Sequence, residues 1–323
     1  MPDAQDPADG RHCGPSSESS APRPGRQAET PTSAYRDWRQ RHALQEIDAE
    51  LMAERMLRVW RKRPRFHLLI HLQPGEEALL ADTLDSLSIQ LYGEWRLTVV
   101  AGFAAPLPAF DQLPMLKWVQ TRPGDNAAAV MNRAARGEAA DWLGILPAGV
   151  RLEPHFLMTC ADYINLRPHW RLIYTDDDTL QADGGYGDPR FKPDLNPDLL
   201  RSMDYLGLFL IEAEAFVTAG GHSPLVGAEG YDLALRVFER CGEGAMGHVS
   251  DVLCHLPART RTAGAPEAER EALRRHLART GRDAEVGPGY RPYLHRVVYR
   301  HADTPLVSIL VPTKDREELI RPC

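Results

Sequence analysis

The feature that most restricts this chain is the order of its apolar segments. "FHLLIHL" (66–72), "WRLTVVAG" (95–102), "LKWVQTR" (116–122), "DWLGILP" (141–147) and "RLIYTD" (171–176) are short and apolar enough to be buried strands. Between them, "ALLADTLDSLSIQL" (78–91), "DNAAAVMNRAARG" (125–137, with Asp125 as N-cap) and "FLMTCADYINL" (156–166) repeat at helical spacing. Strands joined through helices of this length need right-handed crossovers. The pattern therefore predicts an α/β fold, a mainly parallel sheet with helices on both faces. Ligands in such sheets bind beyond the carboxyl ends of the strands. Asp176, Asp177 and Asp178 fall at one such predicted end.

The flanking segments read differently. Residues 1–33 are rich in Pro, Ser, Gly and charge, a composition that predicts a disordered tail. Residues 34–63 read as a helical segment, with Trp38, Leu44, Ile47, Leu51, Met56, Leu57 and Trp60 near helical spacing and Pro64 ending it. The basic run "RVWRKRPR" (58–65) suits either an acidic lipid or partner surface or a solvated helix end, and the second is favoured. Residues 181–223 carry Gly and Pro punctuation and read as irregular, with "DGGYGD" (183–188) as a hairpin-type turn. Residues 227–241 and 265–280 read as helices, the second with exposed charge pairs. "HVSDVLCHLP" (248–257) and "YRPYLHRVVYR" (290–300) read as strands. "PLVSILVPTKDREELIRPC" (305–323) reads as a new buried strand, a turn and the start of a helix.

Composition removes several classes. A net charge of -7 argues against a non-specific nucleic-acid binder. Five cysteines, Cys13, Cys160, Cys241, Cys254 and Cys323, form no C-x-x-C pair and fit a reducing compartment. The first thirty residues lack an apolar signal core, and no apolar run approaches the ~20 residues of a membrane span. The expected location is cytoplasmic, with peripheral contact at the inner face of a membrane left open. No Gly-x-Ser-x-Gly elbow supports a hydrolase, and "GPGY" (287–290) lacks the Gly-Lys-Ser/Thr of a phosphate loop. His67 and His71 share one strand face with no carboxylate or Cys at metal spacing, so they read as strand residues.

The longest informative stretch is "YTDDDTLQADGGYGDPRFKPDLNPDLLRSMDYLG" (174–207), followed by "YDLALR" (231–236), "VLCHLP" (252–257) and "PLVSILVPTKDR" (305–316). Together these resemble the family-2 inverting glycosyltransferases with a GT-A fold, in particular tandem-domain members acting on bacterial surface polysaccharides. The resemblance implies a glycosyltransferase-like domain over 64–300 and, over 304–323, the start of a second, truncated one. It implies a nucleotide-sugar donor, a cell-envelope glycan acceptor and Mg²⁺ or Mn²⁺.

The departures from that resemblance matter as much. Where the family places metal carboxylates after the fourth strand, "ILPAGVRLEP" (145–154) offers Pro147, Ala148, Gly149 and Val150. The nucleoside-contacting acidic motif after the second strand is replaced by "VVAGFAAP" (99–106). The expected base falls on Gly230. Glu229 is one residue away, a turn of ~100° at a helix start. Asp232 sits where it would face its own helix N-terminus.

Glu229 and Asp232 are therefore weak catalytic candidates. Asp176, Asp178, Lys192 and His255 are substrate-binding candidates, and Asp176 with Asp178 the metal candidates. On an extended strand Asp176 and Asp178 share a side, ~6.6 Å apart along the chain, a spacing that suits one cation. The alternative is an acidic strand end satisfied by Arg190, Lys192 or backbone N–H groups. Three losses favour a non-catalytic domain that supports another, active one.

Overall fold

A computed structural model describes residues 31–108, 110, 113–258, 264–304, 306–312, 314 and 316–321. The chain divides into two compact units, 1–42 and 43–323. The expected tail lies outside the described residues as far as residue 30. Helix α1 (Pro31–Arg41) begins inside its last three positions. In α1, Trp38 stacks on His42 at 4.2 Å.

The predicted single helical segment is two helices, because α2 (Glu46–Arg58) starts afresh within the second unit. The Asp48 carboxylate there accepts the Gln45 N–H at 3.0 Å, an N-terminal cap that separates the two. One face of α2 carries Met52, Ala53 and Met56, which pack with Trp60 against the sheet core.

The main body then runs β1 (Phe66–Leu72), α3 (Glu77–Ser88), β2 (Trp95–Ala101), β3 (Leu116–Gln120), α4 (Ala127–Ala135), β4 (Trp142–Leu146), β5 (Arg151–Leu152) and α5 (Phe156–Leu166). It continues through β6 (Leu172–Leu180), β7 (Tyr186–Arg190), α6 (Pro197–Ser202), β8 (Phe209–Glu212), α7 (Ala213–Thr218), α8 (Glu229–Cys241) and β9 (Met246–Pro257). Last come α9 (Ala265–Arg279), β10 (Ala284–Pro288), β11 (His295–Tyr299) and α10 (Glu317–Ile320).

The sheet order is β3-β2-β1-β4-β8-β6-β9-β5, with β7 paired to β6. The β3-β2-β1-β4 half is parallel throughout, as is β6 with β9. β8 runs antiparallel to both β4 and β6, and joins the two parallel parts. Alternation along the strands divides the core between the two faces. Phe66, Leu68, Ile70 and Leu72 of β1 meet α3 and α5, whereas Leu69 meets α4 on the other side, where α7, α8 and α9 also pack.

Several expectations change here. Asn126, not Asp125, caps α4 by accepting the Ala129 N–H at 3.0 Å; Asp125 accepts from Arg122 N instead. The stretch read as irregular contains β7, α6, β8 and α7. These elements are short, and their apolar residues gain partners only from distant strands. Residues 306–312 do not form the predicted buried strand: Leu306 is 97% and Leu310 90% exposed. A strand needs a neighbour, and the described residues supply none there. Among the described residues, no helix is long and apolar enough to cross a membrane.

Candidate functional site

The carboxyl ends of β1 and β4 open into two adjoining cavities. One, of about 340 Å³, is lined by His71, the first turn of α4, Pro147, Phe209, His222 and Glu229. The other, of about 840 Å³, is lined by Thr179, Asp188, Arg190, Asp204 and Pro257. Ile145, Pro147 and Gly207 border both. This is the location expected for a ligand in such a sheet.

The turn after β4 forms the cleft floor. Gly149 adopts φ +87, and its N–H donates to Thr83 Oγ1 at 3.0 Å. A side chain there would be strained, and it would also crowd Leu79. Ala148 and Val150 are buried in the core. Where the resemblance implies metal ligands, the turn thus has no side-chain oxygen.

The three aspartates do not stand at a strand end. β6 runs on to Leu180, and all three are buried. The extension arises because β9 pairs with β6 as far as Pro257, through bulges that realign it at Asp176 and Asp177. Each carboxylate has its own basic partner. Asp176 Oδ1 accepts the Lys192 N–H at 2.8 Å and lies 2.9 Å from His248 Nε2. Asp177 pairs with Arg190, and its Oδ2 lies 2.7 Å from Lys192 Nζ. That lysine directs its hydrogen bond to Leu206 O at 2.7 Å, so its link to Asp177 is ionic in character. Asp178 Oδ1 lies 2.6 Å from His255 Nδ1, while Glu153 Oε1 lies 3.0 Å from the other ring nitrogen. The His255 ring thus lies between two carboxylates.

The predicted candidates therefore separate. Asp176, Asp178, Lys192 and His255 belong to a buried charge layer between β6, β7 and β9, with their polar atoms turned to each other. In place of the expected shared cation, the Asp176 and Asp178 carboxylates each have a histidine ring within hydrogen-bonding distance. Among the described residues no group of three His, Cys, Asp or Glu is arranged to hold a metal ion.

Asp232 is buried as well. It pairs with Arg236 at 2.9 Å, and Arg236 in turn donates to the carbonyls of Ala219 and Gly221. It pins a turn and does not face the cleft. Glu229 does line the cleft; its Oε2 accepts the Gly227 N–H at 2.8 Å.

Two cleft residues escaped the sequence reading. His71, by its sequence pattern a plain strand residue, stands where β1 reaches the cavity. His222 carried no motif; its single signal is the preceding Gly220–Gly221 pair, both at positive φ. Asn132 grips it from both sides, accepting its N–H at 2.8 Å and donating to its carbonyl at 2.9 Å. Burial, helped by Arg236, pushes the His222 imidazole down to about 4, so it is neutral at pH 7.

No known family profile matches the chain. It is similar to the O-antigen biosynthesis protein RfbC of Myxococcus xanthus, 35% identical over 277 residues, covering 80% of this chain and 22% of RfbC. It is also similar to the uncharacterized protein y4gI of Sinorhizobium fredii, 29% identical over 314 residues, covering 90% of this chain and 33% of that protein. The chain thus spans between about a fifth and a third of the length of these relatives. Among solved structures, S. aureus TarS in complex with UDP-GlcNAc aligns with TM-score 0.53 at 14% identity, over 66% of each chain. The mannosyltransferase PcManGT of Pyrobaculum calidifontis, in complex with GDP-Man and Mn²⁺, aligns with TM-score 0.50 at 16% identity, over 72% of this chain and 70% of that one. The fold is that of GT-A glycosyltransferase structures.

Proposed function

We propose that this chain supplies a glycosyltransferase-like module to a longer polysaccharide-biosynthesis protein. In this reading its cleft holds a sugar-bearing ligand without itself performing metal-dependent transfer. Its partners are a nucleotide sugar or a cell-envelope glycan, and catalysis belongs to another domain of the longer protein. The observation that carries the reading is the Pro147–Val150 turn. Transfer from a nucleoside diphosphate needs the departing charge to be neutralised. The turn has no ligand for a cation, and Asp176, Asp177 and Asp178 are turned to Arg190, Lys192, His248 and His255. What remains is a smaller, mainly apolar cavity beside a larger one that carries Asp188, Arg190 and Asp204, a mix of apolar walls and polar groups that suits a binding site.

The test is thermal unfolding with UDP-GlcNAc, GDP-Man or a neutral oligosaccharide, each with and without Mn²⁺, alongside an assay for released UDP or GDP. The expected result is a stabilisation that Mn²⁺ does not change, with no release. Mn²⁺-dependent stabilisation or turnover overturns the non-catalytic part. No response to any ligand overturns the binding part.

A catalytic reading has one observation on its side, the Glu229 carboxylate in the cleft. It requires turnover that Glu229→Gln abolishes while the melting temperature is retained.

A further inference from the structure

The basic run after α2 has a structure that a frayed helix end lacks. Residues 60–65 have no regular secondary structure, yet they are held at nearly every position. Trp60 Nε1 donates to Asp162 at 2.8 Å, and Asn165 Oδ1 accepts the N–H groups of Arg61 and Lys62 at 2.9 and 3.0 Å. Asn165 Nδ2 donates back to the Lys62 carbonyl at 3.0 Å. The buried Tyr92 hydroxyl donates to the Pro64 carbonyl at 3.0 Å, and Arg65 N donates to Asp141 at 2.8 Å.

With its backbone fixed to the body, this segment leaves the side chains of Arg61, Lys62 and Arg63 exposed and, among the described residues, in no ion pair. Arg167, two residues past the clamping Asn165, is exposed in the same way. Glu212, an acid whose carboxyl feels the Lys62 charge, is already paired with Arg171 at 3.0 Å. On α9, by contrast, Arg270, Arg274 and Arg275 all pair with glutamates. Apolar side chains accompany the cations: Leu57 is 69%, Val59 59% and Leu166 47% exposed.

We propose that this surface docks the protein on an anionic lipid bilayer. Cations held at a fixed surface gain from anionic headgroups, and exposed aliphatic side chains beside them can enter the interface. A nucleic-acid surface would use the charge but leave Leu57, Val59 and Leu166 without a role. The patch lies at the amino end of β1, and the cleft lies at its carboxyl end, about 20 Å away along the strand. Docking therefore leaves the cleft accessible.

The test is sedimentation of the whole chain with vesicles of phosphatidylcholine alone or with about 30 mol% phosphatidylglycerol, at ~0.05 M and ~0.5 M salt. Binding is expected only with phosphatidylglycerol, falling at high salt. In R61E/K62E/R63E it should weaken at least about 30-fold, with an unchanged melting temperature. The neutral R61Q/K62Q/R63Q variant, expected in between, reads the same effect if charge reversal disturbs folding. Equal binding to neutral vesicles, no binding to either kind, or indifference to both variants overturns the proposal. So does tighter binding to single- or double-stranded nucleic acid that the same variants remove, which would assign the surface to that partner.

Discussion

The imidazole of His222 shows how one buried side chain links folding to acid. Burial holds its folded value at about 4, below the ordinary 6.5. The unfolded chain therefore binds more protons between these values, and stability falls as pH drops through that window. From pH 6.5 to pH 5 this amounts to about 2 kcal/mol. Denaturant titrations of His222→Asn should show a correspondingly flatter pH dependence; an unchanged slope would refute the account. Burial also pushes His67 down, and its contribution has the same sign. Lys192 makes the opposite demand, that a charge persist. Its ammonium is buried against Asp177. Lys192→Met leaves that carboxylate with Arg190 alone, and a loss of about 3 kcal/mol is expected from chemical denaturation.

At the level of elements, close packing decides which residues a strand can carry. Gly247 of β9 lies under Trp170, and a Cβ there would come 2.0 Å from the indole ring. Trp170 cannot yield easily, because it stacks on Tyr163 of α5 at 5.6 Å. Gly247→Ala should therefore cost about 1–3 kcal/mol by overcrowding. Adding Trp170→Leu to that variant should restore part of the loss, a coupling that a double-mutant cycle measures. Gly144 of β4 is under the same constraint, wedged between Leu210 of β8 and Leu68 of β1. Nothing in "DWLGILP" marks this glycine as a packing requirement, since the two contacting side chains come from strands on either side.

For the molecule as a whole, α2 belongs to the body that starts at residue 43, although it precedes the first strand by several residues. Met52, Ala53, Met56 and Trp60 pack on the sheet core, and Arg55 pairs with Asp162 of α5 at 2.7 Å. A chain starting at residue 43 should keep the folding cooperativity of the second unit. One starting at residue 64 should lose about 3 kcal/mol or more, from exposed core surface and an unpartnered Asp162. Equal melting temperatures for the two would show that α2 is dispensable.

Local pattern determined much of this protein. The apolar period marked strands β1 to β4 and β6, helices α3 to α5, α8 and α9, and the α/β class, because these elements are long enough to state their own periodicity. The missing carboxylates at Pro147–Val150 were also legible, since an absent side chain needs no coordinates. Tertiary structure alone decided what Asp176, Asp177 and Asp178 do. Their partners, Arg190, Lys192, His248 and His255, lie between 13 and 77 residues away in the chain, and the bulged pairing of β9 on β6 brings the two histidines to them. The same holds for β8, four residues long and identifiable only once β4 and β6 flank it. A charge records its type in the sequence, but whether it faces a ligand or a counter-ion depends on which distant segment the fold sets beside it.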